Sequence, residues 1–149
     1  MSLKGIIDKE IKSAMLNKNK TRLIALRAIK SSILLYEKSE SGNDLMTKEK
    51  EMQILMKNVK QRNDSKELYI KQGRKDLAKI EDEEIKVISE FLPNQISDKE
   101  IHIAIEKIIK ENNAHNIKDM GKIMGIATKK FSGQADNSLI ASIVKSKLT

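Results

Sequence analysis

Four lysines and three glycines near the C-terminus have the spacing most suggestive of chemistry. A helix over 116–131 would turn by about 100° per residue. Lys118, Lys122, Gly125 and Lys129 then fall within roughly 40° of one line, with Gly121 beside it. Met120, Ile123, Met124, Ala127 and Phe131 gather on the opposite arc, and Lys130, Gly133 and Gln134 follow in the chain. Lysines neutralise phosphates, and glycines let a sugar-phosphate backbone come close. A flat basic strip for nucleic acid is one reading. The other is packing, in which Gly121 and Gly125 admit a neighbouring helix while the lysines face water. A glycine inside a helix costs about 1 kcal/mol relative to alanine, so two in one short helix require a purpose, and both readings provide one.

No other group of residues forms a reactive set. The chain has no cysteine, which excludes disulfides, thiolate metal sites and thiol nucleophiles. His102 and His115 are the only histidines, and neither accompanies a serine in a nucleophile–base–orienter arrangement. There is no Walker-type phosphate loop. The acidic run Glu81-Asp82-Glu83-Glu84 has no His or Cys beside it and lacks calcium-loop spacing, so a solvated face is expected there. Lys60, Arg62, Asp64 and Lys66 read as the exposed middle of a long helix or as a binding face. Arg22 and Arg27 suit a structural ion pair with an acidic residue of the fourth helix, with Arg27 lying along the core edge. No catalytic residue, metal ligand or cofactor is expected.

The elements that would position these residues are all helices. The first spans about 3–16, with Ile7, Ile11, Ala14 and Met15 on one face. After an Asn19 cap the second spans about 20–37, with Leu23, Leu26, Ile29, Ile33 and Tyr36 as its stripe. A loop covers 39–44. Thr47 caps a third helix whose stripe, Met52, Leu55 and Val59, fades across 60–66 and resumes at Leu68, Tyr69 and Ile70. Gly73 stops it. A fourth helix, about 75–92, would bury Leu77, Ile80, Val87, Ile88 and Phe91. Pro93, the only proline, is followed by Ser97-Asp98-Lys99-Glu100, a capping box before an apolar run. This break sets the expected border: an N-terminal bundle over 1–93 and a C-terminal bundle over 94–149. The fifth helix buries Ile101, Ile105, Ile108 and Ile109. Asn116 caps the sixth, with Asp119 as a weaker box partner. Asp136 caps the seventh, which carries Leu139, Ile140, Ile143, Val144 and Leu148.

Bulk composition agrees with an aliphatic, all-α protein. Hydrophobic residues make up 39% of the 149, charged residues 34% and aromatics 3%. Six glycines and one proline leave little turn chemistry. The net charge of +8 favours polyanions or acidic protein faces. It is uneven: residues 1–75 carry 18 basic and 9 acidic side chains (+9), 76–92 carry 2 and 6 (−4), 93–112 carry 3 and 4 (−1), and 113–149 carry 6 and 2 (+4). The last segment has no internal neutraliser, which favours it as the polyanion surface. No apolar leader follows Met1-Ser2-Leu3-Lys4, and no 18-residue apolar run could span a bilayer. By default the chain is expected in the cytoplasm.

Several segments carry a family likeness. Arg22-Leu23-Ile24-Ala25-Leu26-Arg27-Ala28-Ile29-Lys30, Lys60-Gln61-Arg62-Asn63-Asp64-Ser65, Gly73-Arg74-Lys75-Asp76-Leu77 and Phe91-Leu92-Pro93-Asn94-Gln95-Ile96-Ser97 resemble the N-terminal signatures of the GatB/YqeY family. Lys118-Asp119-Met120-Gly121-Lys122-Ile123-Met124-Gly125 and Gly133-Gln134-Ala135-Asp136 resemble its tail motifs, so the likeness runs in order along nearly the whole chain. It implies a four-helix bundle followed by a three-helix bundle. It also implies similarity to the tail of the B subunit of the tRNA-dependent aspartyl/glutamyl amidotransferase, a region associated with holding tRNA, without that enzyme's catalytic domain. Position 134 is often basic in such tails; Gln134 keeps a hydrogen-bonding group and loses the charge.

Residues and resemblance together suggest a noncatalytic accessory protein. It would bind tRNA, or a tRNA-charging enzyme, through Lys118, Gly121, Lys122, Gly125, Lys129, Lys130, Gly133 and Gln134. Scarce aromatics argue against base stacking, leaving shape and backbone recognition. Two alternatives stand: a component of a carbon–nitrogen ligase with glutamine as amido donor, acting with a partner subunit, and a protein-interaction module using the basic N-terminal bundle.

Overall fold

The computed structural model describes residues 2–39 and 46–149, so most of the loop expected over 39–44 lies outside the described residues. Among the described residues there are seven α-helices and no strand: α1 (Leu3–Leu16), α2 (Lys20–Lys38), α3 (Lys48–Lys71), α4 (Lys75–Ser89), α5 (Asp98–Glu111), α6 (Met120–Lys130) and α7 (Asn137–Leu148). A 3-10 turn, Ile117–Asp119, precedes α6. The fold is all-α and multihelical. Two compact units are present, Met1–Leu92 and Pro93–Thr149.

Polar side chains set the helix starts by accepting orphan amides. Ser2 accepts from the Gly5 N–H, Asn19 from Arg22, Thr47 from Lys50, Ser97 from Glu100 and Asp136 from Ser138. α3 ends at a Gly73 with φ +74, a conformation that glycine adopts without steric cost. α4 stops at Ser89, three residues short of the expected Leu92. The amides of Glu90, Phe91 and Leu92 instead bond carbonyls three residues back, the tightened geometry usual at a helix end before proline.

The first unit packs α1–α4 around Leu3, Ile7, Ala14, Ala25, Leu26, Ile29, Ile33, Leu55 and Ile88. α3 adds Val59 to this core and α4 adds Val87, but no residue between 60 and 86 belongs to it. The outer halves of α3 and α4 therefore form a hairpin that holds itself. Ile80, expected in the core, is 47% exposed as a result, and Met15, near the end of α1, is 55% exposed. Leu68 and Ile70, on the resumed stripe of α3, are exposed as well.

Polar groups replace the core where that hairpin begins. Arg62 donates from Nε to Glu84 at 3.0 Å, and its Nη1 donates to the Asn58 carbonyl and Oδ1. Asn58, itself buried, donates to Ser32 Oγ on α2 at 3.1 Å and to the Ile54 carbonyl. Only 12% of the Arg62 side chain and 10% of that of Glu84 face water. Arg62 is thus neither exposed nor part of a binding face, and the acidic run is not simply solvated. Glu84 is buried, and Asp82 pairs with Lys66 at 2.9 Å. Arg22 forms the expected ion pair, reaching Glu90 at the end of α4 and also Glu10 of α1, whereas Arg27 is exposed and forms none among the described residues. The hydrogen bond from Glu90, then that from Glu10, holds the Arg22 pKa above its ordinary value.

Removing one member of a buried ion pair leaves the other charge uncompensated, at a typical cost of about 3–5 kcal/mol. Arg62→Met is expected to destabilise the first unit by about that amount in denaturant titrations. Adding Glu84→Leu to it should restore most of the loss. Glu81 gives a prediction of opposite sign. Desolvation, then the nearby Glu84 charge, raises its pKa, with Arg62 opposing. A raised carboxyl pKa favours the fold at low pH and loses that contribution as pH rises through the folded value. Glu81→Gln should therefore raise the melting temperature at about pH 7 and leave it nearly unchanged at about pH 3, below the ordinary glutamate range.

Candidate nucleic-acid interface

α5, α6 and α7 enclose an apolar core of Ile101, Ile105, Ile108, Ile123, Ala127, Phe131, Ile140, Ile143, Val144 and Leu148. Ile123 and Ala127 anchor the inner face of α6, and Met120 and Met124 pack beside them. That fixes what faces out: Gly121, Lys122, Gly125, Lys129 and Lys130 are all exposed.

Two details differ from the single helix expected over 116–131. Asn116 caps the 3-10 turn, accepting from the Lys118 N–H at 2.9 Å, and the α-helix begins only at Met120. Asp119 reaches back one residue further than a capping box requires, accepting from the His115 amide at 3.0 Å. That bond is the main cause holding its carboxyl below the usual range. Lys118 is therefore exposed on a turn ahead of the strip, and its angular phase on a continuous helix does not apply. Ile117, 45% exposed beside it, was not singled out by the sequence.

The glycines separate the two readings of α6. A Cβ built on Gly121 or Gly125 would meet nothing within 4 Å. No helix has been admitted against them, so close packing does not account for either. Gly133 differs: it is buried with φ +76 in the turn between α6 and α7. Its carbonyl accepts from Gln95 Nε2 at 2.6 Å, while the Gln134 carbonyl accepts from the Ile96 amide at 3.3 Å. Gly133 and the half-buried Gln134 thus fasten the start of this unit to the α6–α7 turn. Lys130 sits over the Phe131 ring at 5.9 Å, a cation–π contact. Lys147 is committed to Glu106 at 2.7 Å. Lys118, Lys122, Lys129 and Lys130 make no ion pair among the described residues.

Among the described residues no cluster of three or more His, Asp or Glu could hold a metal. No described helix is long and apolar enough to cross a membrane. His102 and His115 both sit at exposed positions.

The fold defines an all-helical protein, and every charged side chain of α6 is a lysine. More particularly, the chain belongs to the YqeY-like protein family, whose pattern matches residues 4–148. Two fungal relatives are both named "Altered inheritance of mitochondria protein 41, mitochondrial". The Clavispora lusitaniae protein is 30% identical over 111 residues, covering 74% of this chain and 60% of that one. The Candida glabrata protein is 33% identical over 88 residues, covering 59% and 48%. The chain thus spans less than two thirds of either relative. These names correct the cytoplasmic expectation, since both relatives are named as mitochondrial proteins. That expectation was a default and rested on no positive signal for a compartment.

Because both α6 glycines have room for a methyl group, Gly121→Ala and Gly125→Ala should each stabilise the second unit by about 0.5–1 kcal/mol. Thermal melts of the single variants check this; a loss of stability would mean that the glycines are structural.

Proposed function

We propose that this protein is a noncatalytic tRNA-binding accessory protein whose second unit acts as a separate RNA-binding domain. Lys118, Lys122, Lys129 and Lys130 neutralise phosphates, and Gly121 and Gly125 let the backbone approach α6. Gly133 and Gln134 shape the turn that ends the strip. The observation that carries this reading is the open space over both α6 glycines, flanked by lysines without ion-pair partners. The likeness to the amidotransferase B-subunit tail supports tRNA as the polyanion. The relatives' names support a mitochondrial setting.

The strip lacks exposed aromatics, so affinity comes from backbone charge and shape, with little dependence on base sequence. Binding of deacylated bulk tRNA, followed by anisotropy across a salt series, tests this. Each of the four lysines changed to Ala should reduce the salt slope by about 1 and weaken different RNA sequences alike. Gly121→Ala and Gly125→Ala should weaken binding while stabilising the fold, which separates a contact role from a structural one. An unchanged slope in the fourfold lysine variant would remove the strip from the RNA surface. Turnover with glutamine, ATP and misacylated tRNA that is lost only when this chain is altered would replace the noncatalytic reading.

A further inference from the structure

α2 lies in the core of the first unit but leaves one narrow stripe in solvent. Between residues 21 and 36 only Ile24, Arg27, Ser31 and Leu35 are exposed, and Lys20 and Lys38 are exposed at the ends of the helix. At about 100° per residue these six positions share an arc of roughly 80°, opposite Ala25, Leu26, Ile29 and Ile33. Ile24 is 55% exposed and Leu35 73%. They lie 11 residues apart, about 16 Å along the axis.

The charges on this face have one sign. Among the described residues, Asp8 pairs with Lys30, Glu10 with Arg22 and Glu37 with Lys4. Lys20, Arg27 and Lys38 make no ion pair among the described residues. Just before the α1–α2 turn, Met15 and Leu16 are exposed at 55% and 75%. A solvated face of a chain that is 34% charged would ordinarily mix acids and bases. Here Ile24 and Leu35 stand among three cations along about five turns.

We propose that this face docks an acidic amphipathic helix of a partner protein, with Ile24 and Leu35 as apolar anchors and Lys20, Arg27 and Lys38 meeting its carboxylates. Anchors repeated along one helix face fit a second helix laid beside it. A phosphate backbone would satisfy the cations and leave both aliphatic side chains without a partner. An anionic lipid surface needs a broad apolar face to insert, and the broad apolar face of α2 is already in the core.

The test uses the full chain and a labelled synthetic 18-residue helical peptide with leucines at three- and four-residue spacing flanked by glutamates. Anisotropy should show binding that Ile24→Ser/Leu35→Ser and Arg27→Glu each weaken by about tenfold or more. A peptide of the same composition with scrambled order should bind poorly. Replacing one glutamate by lysine should recover affinity for the Arg27→Glu variant. All substituted residues are exposed, and unchanged melting curves confirm that the variants fold. Equal binding by wild type and Ile24→Ser/Leu35→Ser, or equal binding of ordered and scrambled peptides, overturns the proposal. So does failure of the peptide to bind while vesicles of phosphatidylcholine with phosphatidylserine, or an RNA duplex, bind and are lost on the same substitutions.

Discussion

The first unit depends on a guanidinium–carboxylate pair placed where its hydrocarbon core ends. Two charges with so little water must be nearly fully hydrogen-bonded to be tolerated. The structure meets that condition by routing Arg62 to Glu84 and Asn58 together, and Asn58 onward to Ser32. One network therefore ties α2, α3 and α4. It also fixes the register of α3 against α4, because sliding either helix by a turn would leave a charge facing aliphatic side chains. Beyond it the hairpin continues on Lys66–Asp82 and a buried Ala78, without a shared apolar core. Pairing of this kind suits a stretch whose Leu68, Ile70 and Ile80 stay exposed.

The second unit solves the same problem of making a small stable body in a different way. Its interior is a continuous aliphatic cluster closed by Phe131, so the outer face of α6 is free of structural duty. Two glycines stand there at a cost in helix stability that nothing in their surroundings offsets. In the first unit, by contrast, Arg22, Arg62, Lys66 and Glu84 turn out to hold helices together. Polar letters in a helix are ambiguous until burial is known: Arg62 and Lys122 look equally available in sequence and differ entirely in the fold.

Much of the architecture was legible because its signals are local. Caps at Asn19, Thr47, Ser97 and Asp136, the stop at Gly73 and the 3.6-residue stripes of α2 and α5 are each set by a few neighbouring residues. What was missed depends on tertiary context. By polarity the stripe of α3 fades after Val59, yet it continues at core spacing in polar letters, from Leu55 through Asn58 and Arg62 to Lys66. Ile88, Glu84 and Glu81 continue the stripe of α4 in the same way. Reading those positions by phase rather than by polarity would have found the network. Ile80 has core spacing, but its own side of α4 is left uncovered, and it is exposed. On α6 the glycine spacing was visible, while the choice between packing and exposure required knowing whether anything lay against it.

A net charge of +8 cannot by itself say what the protein meets, since polyanions and acidic protein surfaces both answer to it. The neighbours of the cations carry that information. On α6 the lysines stand among glycines, whose bare backbone suits a partner made of phosphate and sugar. On α2 the cations alternate with isoleucine and leucine, and a partner must offer apolar surface as well as negative charge. The same charge is thus set in two chemical contexts on two units, which favours two kinds of partner over one diffuse polyanion. Within each unit the core decides which face is left for a partner: Ile123 and Ala127 commit α6, and Leu26, Ile29 and Ile33 commit α2. The residues that build each fold therefore also aim the surface through which it would act.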